Sequence, residues 1–100
     1  MYMNKKEASF RNKFHVGGRI RIKHLHELND EDAYNVTSES IGKDAYLGRT
    51  LTVSDWMKTA GDNRWCCLVE EDHGSYCWFD SMIVQYGRVQ PTRNNTLPSI

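Results

Sequence analysis

Arg64-Trp65-Cys66-Cys67-Leu68-Val69-Glu70-Glu71-Asp72-His73-Gly74-Ser75-Tyr76-Cys77-Trp78-Phe79-Asp80-Ser81-Met82-Ile83-Val84-Gln85-Tyr86 is the stretch whose reading decides the fold. Two runs of aromatic and β-favouring residues flank Asp72-His73-Gly74, where Gly74 can supply the positive φ of a tight connection, so the pattern predicts a β-hairpin. Asp80-Ser81-Met82 then suits a single helical turn, and Ile83-Val84 resumes the alternation as a last short strand. Hairpin, single turn and strand together describe the closing half of a small barrel. The hairpin register stays open: a three-residue turn pairs Cys67 with Phe79, and a two-residue turn pairs Leu68 with Phe79.

Outward from that stretch, Gly48 opens a second strand, Arg49-Thr50-Leu51-Thr52-Val53, which Ser54-Asp55 interrupts before Trp56-Met57. Further back, Ile20 and Ile22 alternate with Arg19, Arg21 and Lys23 after the Gly17-Gly18 turn, the signature of a first strand with one wet face. Residues 24–47 between these strands show no sustained period. A connection of that length carries either a function or a short helical turn, here around Ser38-Glu39-Ser40-Ile41, with Ile41, Tyr46 and Leu47 expected to pin its end to the core. The sequence thus divides into a flexible basic N-terminal arm at 1–13, or a short extension that docks late, a barrel at 14–86 and a disordered tail at 87–100. Phe79, Leu51, Val53, Ile20, Ile22 and Val84 are expected inside, with at least one of Trp56, Trp65 and Trp78 partly exposed.

The 13 basic and 13 acidic side chains sum to zero, so indiscriminate binding to nucleic acid or anionic membrane is not predicted. The charge is nonetheless segregated along the chain. Residues 1–23 carry seven basic side chains against Glu7, and residues 24–47 carry Lys43 against six acidic ones. Three cysteines form no disulfide framework and no charged-then-apolar leader opens the chain, so a reduced, cytoplasmic protein is expected. No apolar run approaches the length of a membrane span.

Three groups of residues carry candidate chemistry. The acidic set Asp30, Glu31 and Asp32 with Tyr34 can dock on a basic protein surface and steer association, with Trp56, Trp65, Tyr76 and Trp78 as rigid anchors. Arg19, Arg21 and Lys23 on one strand face, joined by Lys5, Lys6, Arg11 and Lys13, can meet phosphates, and the aromatics can then stack bases. His24 and His26 point the same way in an extended chain, but neither Cys-x-x-Cys nor His-x-x-x-His spacing occurs, so no metal and no cofactor is assigned. No nucleophile, base and orienting group form a recognisable constellation, and no catalytic residue or enzymatic activity is assigned.

Val16-Gly17-Gly18-Arg19-Ile20-Arg21-Ile22, Leu47-Gly48-Arg49-Thr50-Leu51-Thr52-Val53 and Tyr76-Cys77-Trp78-Phe79-Asp80-Ser81-Met82-Ile83-Val84 together resemble the SH3-like barrel, an all-β fold of five short strands with a long first loop. The closer likeness is to small SH3-like proteins encoded by bacteriophages and prophages, on the glycine-led first strand, the Tyr46-Leu47-Gly48 step and the final Trp-containing strand. That resemblance implies an accessory or host-interaction role. The tyrosine-rich motif with which eukaryotic SH3 domains bind proline-rich peptides has no counterpart in Arg19-Ile20-Arg21-Ile22. The resulting expectation is a monomeric or weakly associating protein-interaction module in the bacterial host cytoplasm, which binds a host protein and modulates or inhibits it. The alternative is a nucleic-acid-binding domain using Arg19, Arg21 and Lys23.

Overall fold

The computed structural model describes residues 5–85 of the chain. Lys5–Lys13 form helix α1, braced by an ion pair between Glu7 and Arg11 one turn apart (2.8 Å). Its inward side chain is Phe10, which meets Phe14 edge-on with ring centroids 4.9 Å apart and lies 6.2 Å from the ring of Trp65. The basic N-terminal segment, read from sequence as a flexible arm or a late-docking extension, is thus a docked helix over these residues. One buried aromatic in nine residues is too sparse a pattern to show as helical periodicity.

A turn at Gly17, whose φ is +87°, leads into strand β1, Arg19–Arg21. It pairs antiparallel with β2, Thr50–Lys58, matching Ile20 to Leu51. The Ser54-Asp55 interruption is a β-bulge inside β2 rather than its end: pairing with β3, Trp65–Val69, shifts by one residue between Val53 and Asp55 and continues to Lys58 opposite Trp65. Strand β4, Trp78–Phe79, completes the order β1-β2-β3-β4. Cys67 faces Trp78 and Cys66 faces Phe79, so neither register considered from sequence is adopted. The reason lies in Asp72. Its carboxylate accepts from Ser75 N (3.1 Å) and from the indole Nε1 of Trp78 (2.8 Å), which organises a longer loop in which both His73 and Gly74 take positive φ.

After β4 a 3-10 turn at Asp80–Met82 returns the chain to β1. Lys23 N donates to Met82 O and Val84 N to Arg21 O, both at 2.9 Å, and Ile22 bridges Ile83. The expected final strand is therefore a single bridge.

Most of the long connection is helical. A 3-10 turn spans Leu25–Glu27, α2 spans Asp30–Tyr34 behind an Asn29 cap (Oδ1 to Asp32 N, 2.7 Å), a π-helical turn spans Asn35–Glu39, and a second 3-10 turn spans Lys43–Tyr46. Each piece is too short to repeat an apolar period. With 36% helix, 26% strand and four strands curled into a half-barrel among the described residues, the all-β five-stranded SH3-like barrel is not the fold.

Ile20, Ile22, Leu51, Val53, Val69, Trp78, Met82 and Ile83 fill the curled sheet, capped by Val36 from the connection and by Phe10 and Phe14. Phe79 and Val84, expected inside, are only half-buried. The proposed tail at 87–100 lies outside the described residues.

Candidate binding surfaces

Packing of α1 beside the start of β3 creates a groove of about 430 Å³. Lys5, Lys6, Ser9 and Lys13 form its helical wall, Asn63 and Arg64 its other side, and Phe10 and Trp65 its aromatic floor, with Asp80 as the one carboxylate. Arg64 is held in place: its guanidinium lies 4.0 Å from the Phe79 ring centroid and donates to Ser81 Oγ at 3.2 Å. Trp56 is tied in nearby, donating its indole N–H to Phe14 O at 2.6 Å, while Arg11 lies 4.5 Å from its ring centroid and 5.7 Å from that of Trp65. Among the described residues, no carboxylate comes within ion-pair distance of Lys5, Lys6, Lys13 or Arg64.

A different surface is formed by the helical connection. Asp30 and Glu31 are exposed and Tyr34 is 60% exposed, whereas Asp32, grouped with them from sequence, is 2% exposed. Ile41, expected to pin this segment to the core, is instead 92% exposed. The pin is the backbone beside it. Tyr76 Oη donates to Ile41 O at 2.7 Å, and the adjoining Gly42 takes φ +90°. A Cβ on Gly42 would stand 2.6 Å from the Tyr76 hydroxyl, so the turn and the tyrosine are fitted to each other.

Beneath that surface lies a polar cluster that the sequence reading missed. Lys43 is 1% exposed, donates from Nζ to Asn35 Oδ1 (2.7 Å) and to Cys77 O (2.6 Å), and sits 4.9 Å from the Trp78 ring centroid. Burial pushes its ammonium down to about 8, against the opposing charges of Cys77, Cys66, Asp32 and Asp72. Asp32 Oδ2 is buried there without a hydrogen-bond partner. The available signal was a lone cation within an acidic segment. The thiols are inert: burial pushes Cys67 up to about 12, and burial followed by hydrogen bonding with Cys77 pushes Cys66 up as well.

The other expected site residues are dispersed. Trp78 is fully buried, its ring 6.3 Å from those of Tyr46 and Tyr76, so it anchors no partner. Trp56 and Trp65 belong to the groove, and half-buried Tyr76 belongs to the Ile41 turn. Of the basic strand, Arg19 is exposed while Arg21 and Lys23 are half-buried.

His24 and His26 stack with parallel rings 5.8 Å apart, and among the described residues no three His, Cys, Asp or Glu side chains are grouped to hold a metal ion. Among the same residues no helix is long and apolar enough to cross a membrane. Comparison with known proteins returns no match to a family model, to a curated protein or to a solved structure.

Proposed function

We propose that this protein is a protein-interaction module whose docking face is the helical connection between β1 and β2. The carrying observation is Ile41, a large apolar side chain 92% exposed on a backbone fixed by Tyr76. A pinned apolar side chain loses little entropy when covered, which is what an anchor residue requires. Tyr34 provides a second exposed hydrophobic side chain on the same connection, and Glu27, Asp30, Glu31, Glu39 and Asp44 surround the pair in sequence. That composition fits a basic protein surface, with the carboxylates steering approach and the apolar pair holding the complex. The action is occlusion of the partner's surface, and no catalysis is assigned. A bacterial host protein as the partner and the host cytoplasm as the compartment belong to this proposal.

The test begins with capture of a stoichiometric partner from a nuclease-treated bacterial lysate, followed by binding kinetics with the purified pair. Ile41→Ser should raise the off-rate tenfold or more, as loss of an anchor worth at least about 1.4 kcal/mol does. Asp30→Ser with Glu31→Ser should lower the on-rate and flatten its salt dependence. A partner that binds both variants like the native protein would sink the reading.

A further inference from the structure

We infer that the groove between α1 and β3 is a binding site for single-stranded nucleic acid, with phosphates held by Lys5, Lys6, Lys13 and Arg64 and a base laid against Trp65. This site is separate from the protein-docking face and stands without it.

Three features of the groove select this ligand. The first is charge: four cations face one carboxylate, Asp80, in a chain whose overall charge is zero, so this concentration of positive charge is local. Lys5 and Lys13 are eight residues apart on one helix, about 12 Å at the helical rise, a length over which a stacked strand presents several phosphates at about 3.4 Å each. The second is the floor. Trp65 is half-buried, with Phe10, Arg11 and Lys58 near its ring, and its remaining exposed part lines the groove; an aromatic ring beside a cationic wall is the pairing that unspecific single-strand binders use. The third is shape and polarity. About 430 Å³ falls within the range of small-ligand sites, and Ser9, Asn63 and Asp80 offer hydrogen-bonding groups to base edges. An acidic peptide would satisfy the lysines but leave Trp65 without a stacking partner. Duplex DNA keeps its bases stacked on each other and likewise cannot use the indole. Arg64 is already fixed by Phe79 and Ser81, so the site is formed before the ligand arrives.

The experiment is fluorescence anisotropy of an end-labelled twelve-nucleotide oligo-dT titrated with the full chain. Micromolar binding is expected at 50 mM salt. With three to four phosphate contacts the slope of log K on log salt should be about −2 to −3, a loss of roughly 20- to 50-fold by 200 mM. The triple variant Lys5→Glu, Lys6→Glu, Lys13→Glu should weaken binding at least tenfold. Its control, Arg19→Glu with Arg21→Glu and Lys23→Glu, makes the same change in net charge and should weaken it less than threefold, with circular dichroism verifying the fold of both. Trp65→Phe keeps a ring and should retain most of the affinity. Trp65→Leu should lose roughly five- to a hundredfold.

The site assignment is overturned by no binding at 100 μM protein, or by equal weakening in the triple variant and its control. The single-strand assignment is overturned if a twelve-base-pair duplex binds more tightly than oligo-dT, or if polyglutamate of matched charge competes as well as unlabelled oligo-dT. Inorganic phosphate competing as effectively as adenosine monophosphate would remove the base from the site and overturn the stacking assignment.

Discussion

Among the described residues, two groups of lysines lie near a tryptophan in contrasting settings. At Lys43 and Trp78 both side chains are sealed in, and the chain itself supplies the ammonium's acceptors, Asn35 Oδ1 and Cys77 O. At the groove, Lys5, Lys6 and Lys13 stand exposed near half-buried Trp65, and among the described residues no carboxylate pairs with them. The first arrangement is complete within the fold, so its charge serves structure: it ties the helical connection to β4. The second leaves its charge to solvent or to a ligand. An internal acceptor marks a structural cation, and a shaped cavity without one marks a binding cation.

The largest effect should come from the two tryptophans themselves. Trp78→Ala removes a fully buried ring and strands the Asp72 carboxylate that accepts from its indole, costing about 3–5 kcal/mol in urea unfolding. Trp65→Ala removes a half-buried ring and should cost about half as much. Equal losses would break the comparison, because Trp65 would then be a core residue.

A smaller effect should appear in the pH dependence. Lys43 is pushed from its ordinary 10.5 down to about 8, so between those values the unfolded chain holds a proton that the folded chain has released. Stability therefore rises with pH through that window, by at most about 1.4 kcal/mol per pH unit, and the cost of burying the charge is fully present below pH 8. The thiols oppose this. Cys67, raised from 9.0 to about 12, and Cys66, also raised, stay protonated in the folded state after their unfolded counterparts ionise, so their contribution is present below pH 9 and is lost above it. Unfolding free energy should climb from pH 8 to 9 and then decline. Lys43→Met should abolish the climb and keep the decline, and a climb that persists in that variant would assign it to another group.

How much of this was legible in the sequence follows the same division. The hydrogen-bonded frame was visible wherever side chains alternate: Ile20 with Ile22, Leu51 with Val53, and the Asp80–Met82 turn all lie where period and turn chemistry put them. The bulge after Val53, the Asp72 loop and the one-bridge return at Ile83 were not, because each is set by a tertiary hydrogen bond or a register shift that leaves local composition unchanged. The helical connection was hidden by its division into four short pieces, none long enough to repeat. Of the candidate residues, Asp30, Glu31 and Tyr34 are exposed as expected, while Asp32 and Trp78 are interior. The N-terminal lysines were grouped in the sequence reading with the β1 arginines. Only the docking of Phe10 against Trp65, a contact between residues far apart in the chain, turns them toward β3 instead.

The smallest effect on stability belongs to the groove lysines, and its smallness is the point. Lys5, Lys6 and Lys13 are exposed on α1 and, among the described residues, pair with no carboxylate. Changing all three to Gln, whose helix propensity matches that of Lys, should therefore move the unfolding free energy by no more than about 0.5 kcal/mol in either direction. A loss above about 1 kcal/mol would make these lysines structural and erase their difference from Lys43. An unchanged stability would mean that these cations do not help the helix fold, which is the expected arrangement if their partner is a ligand.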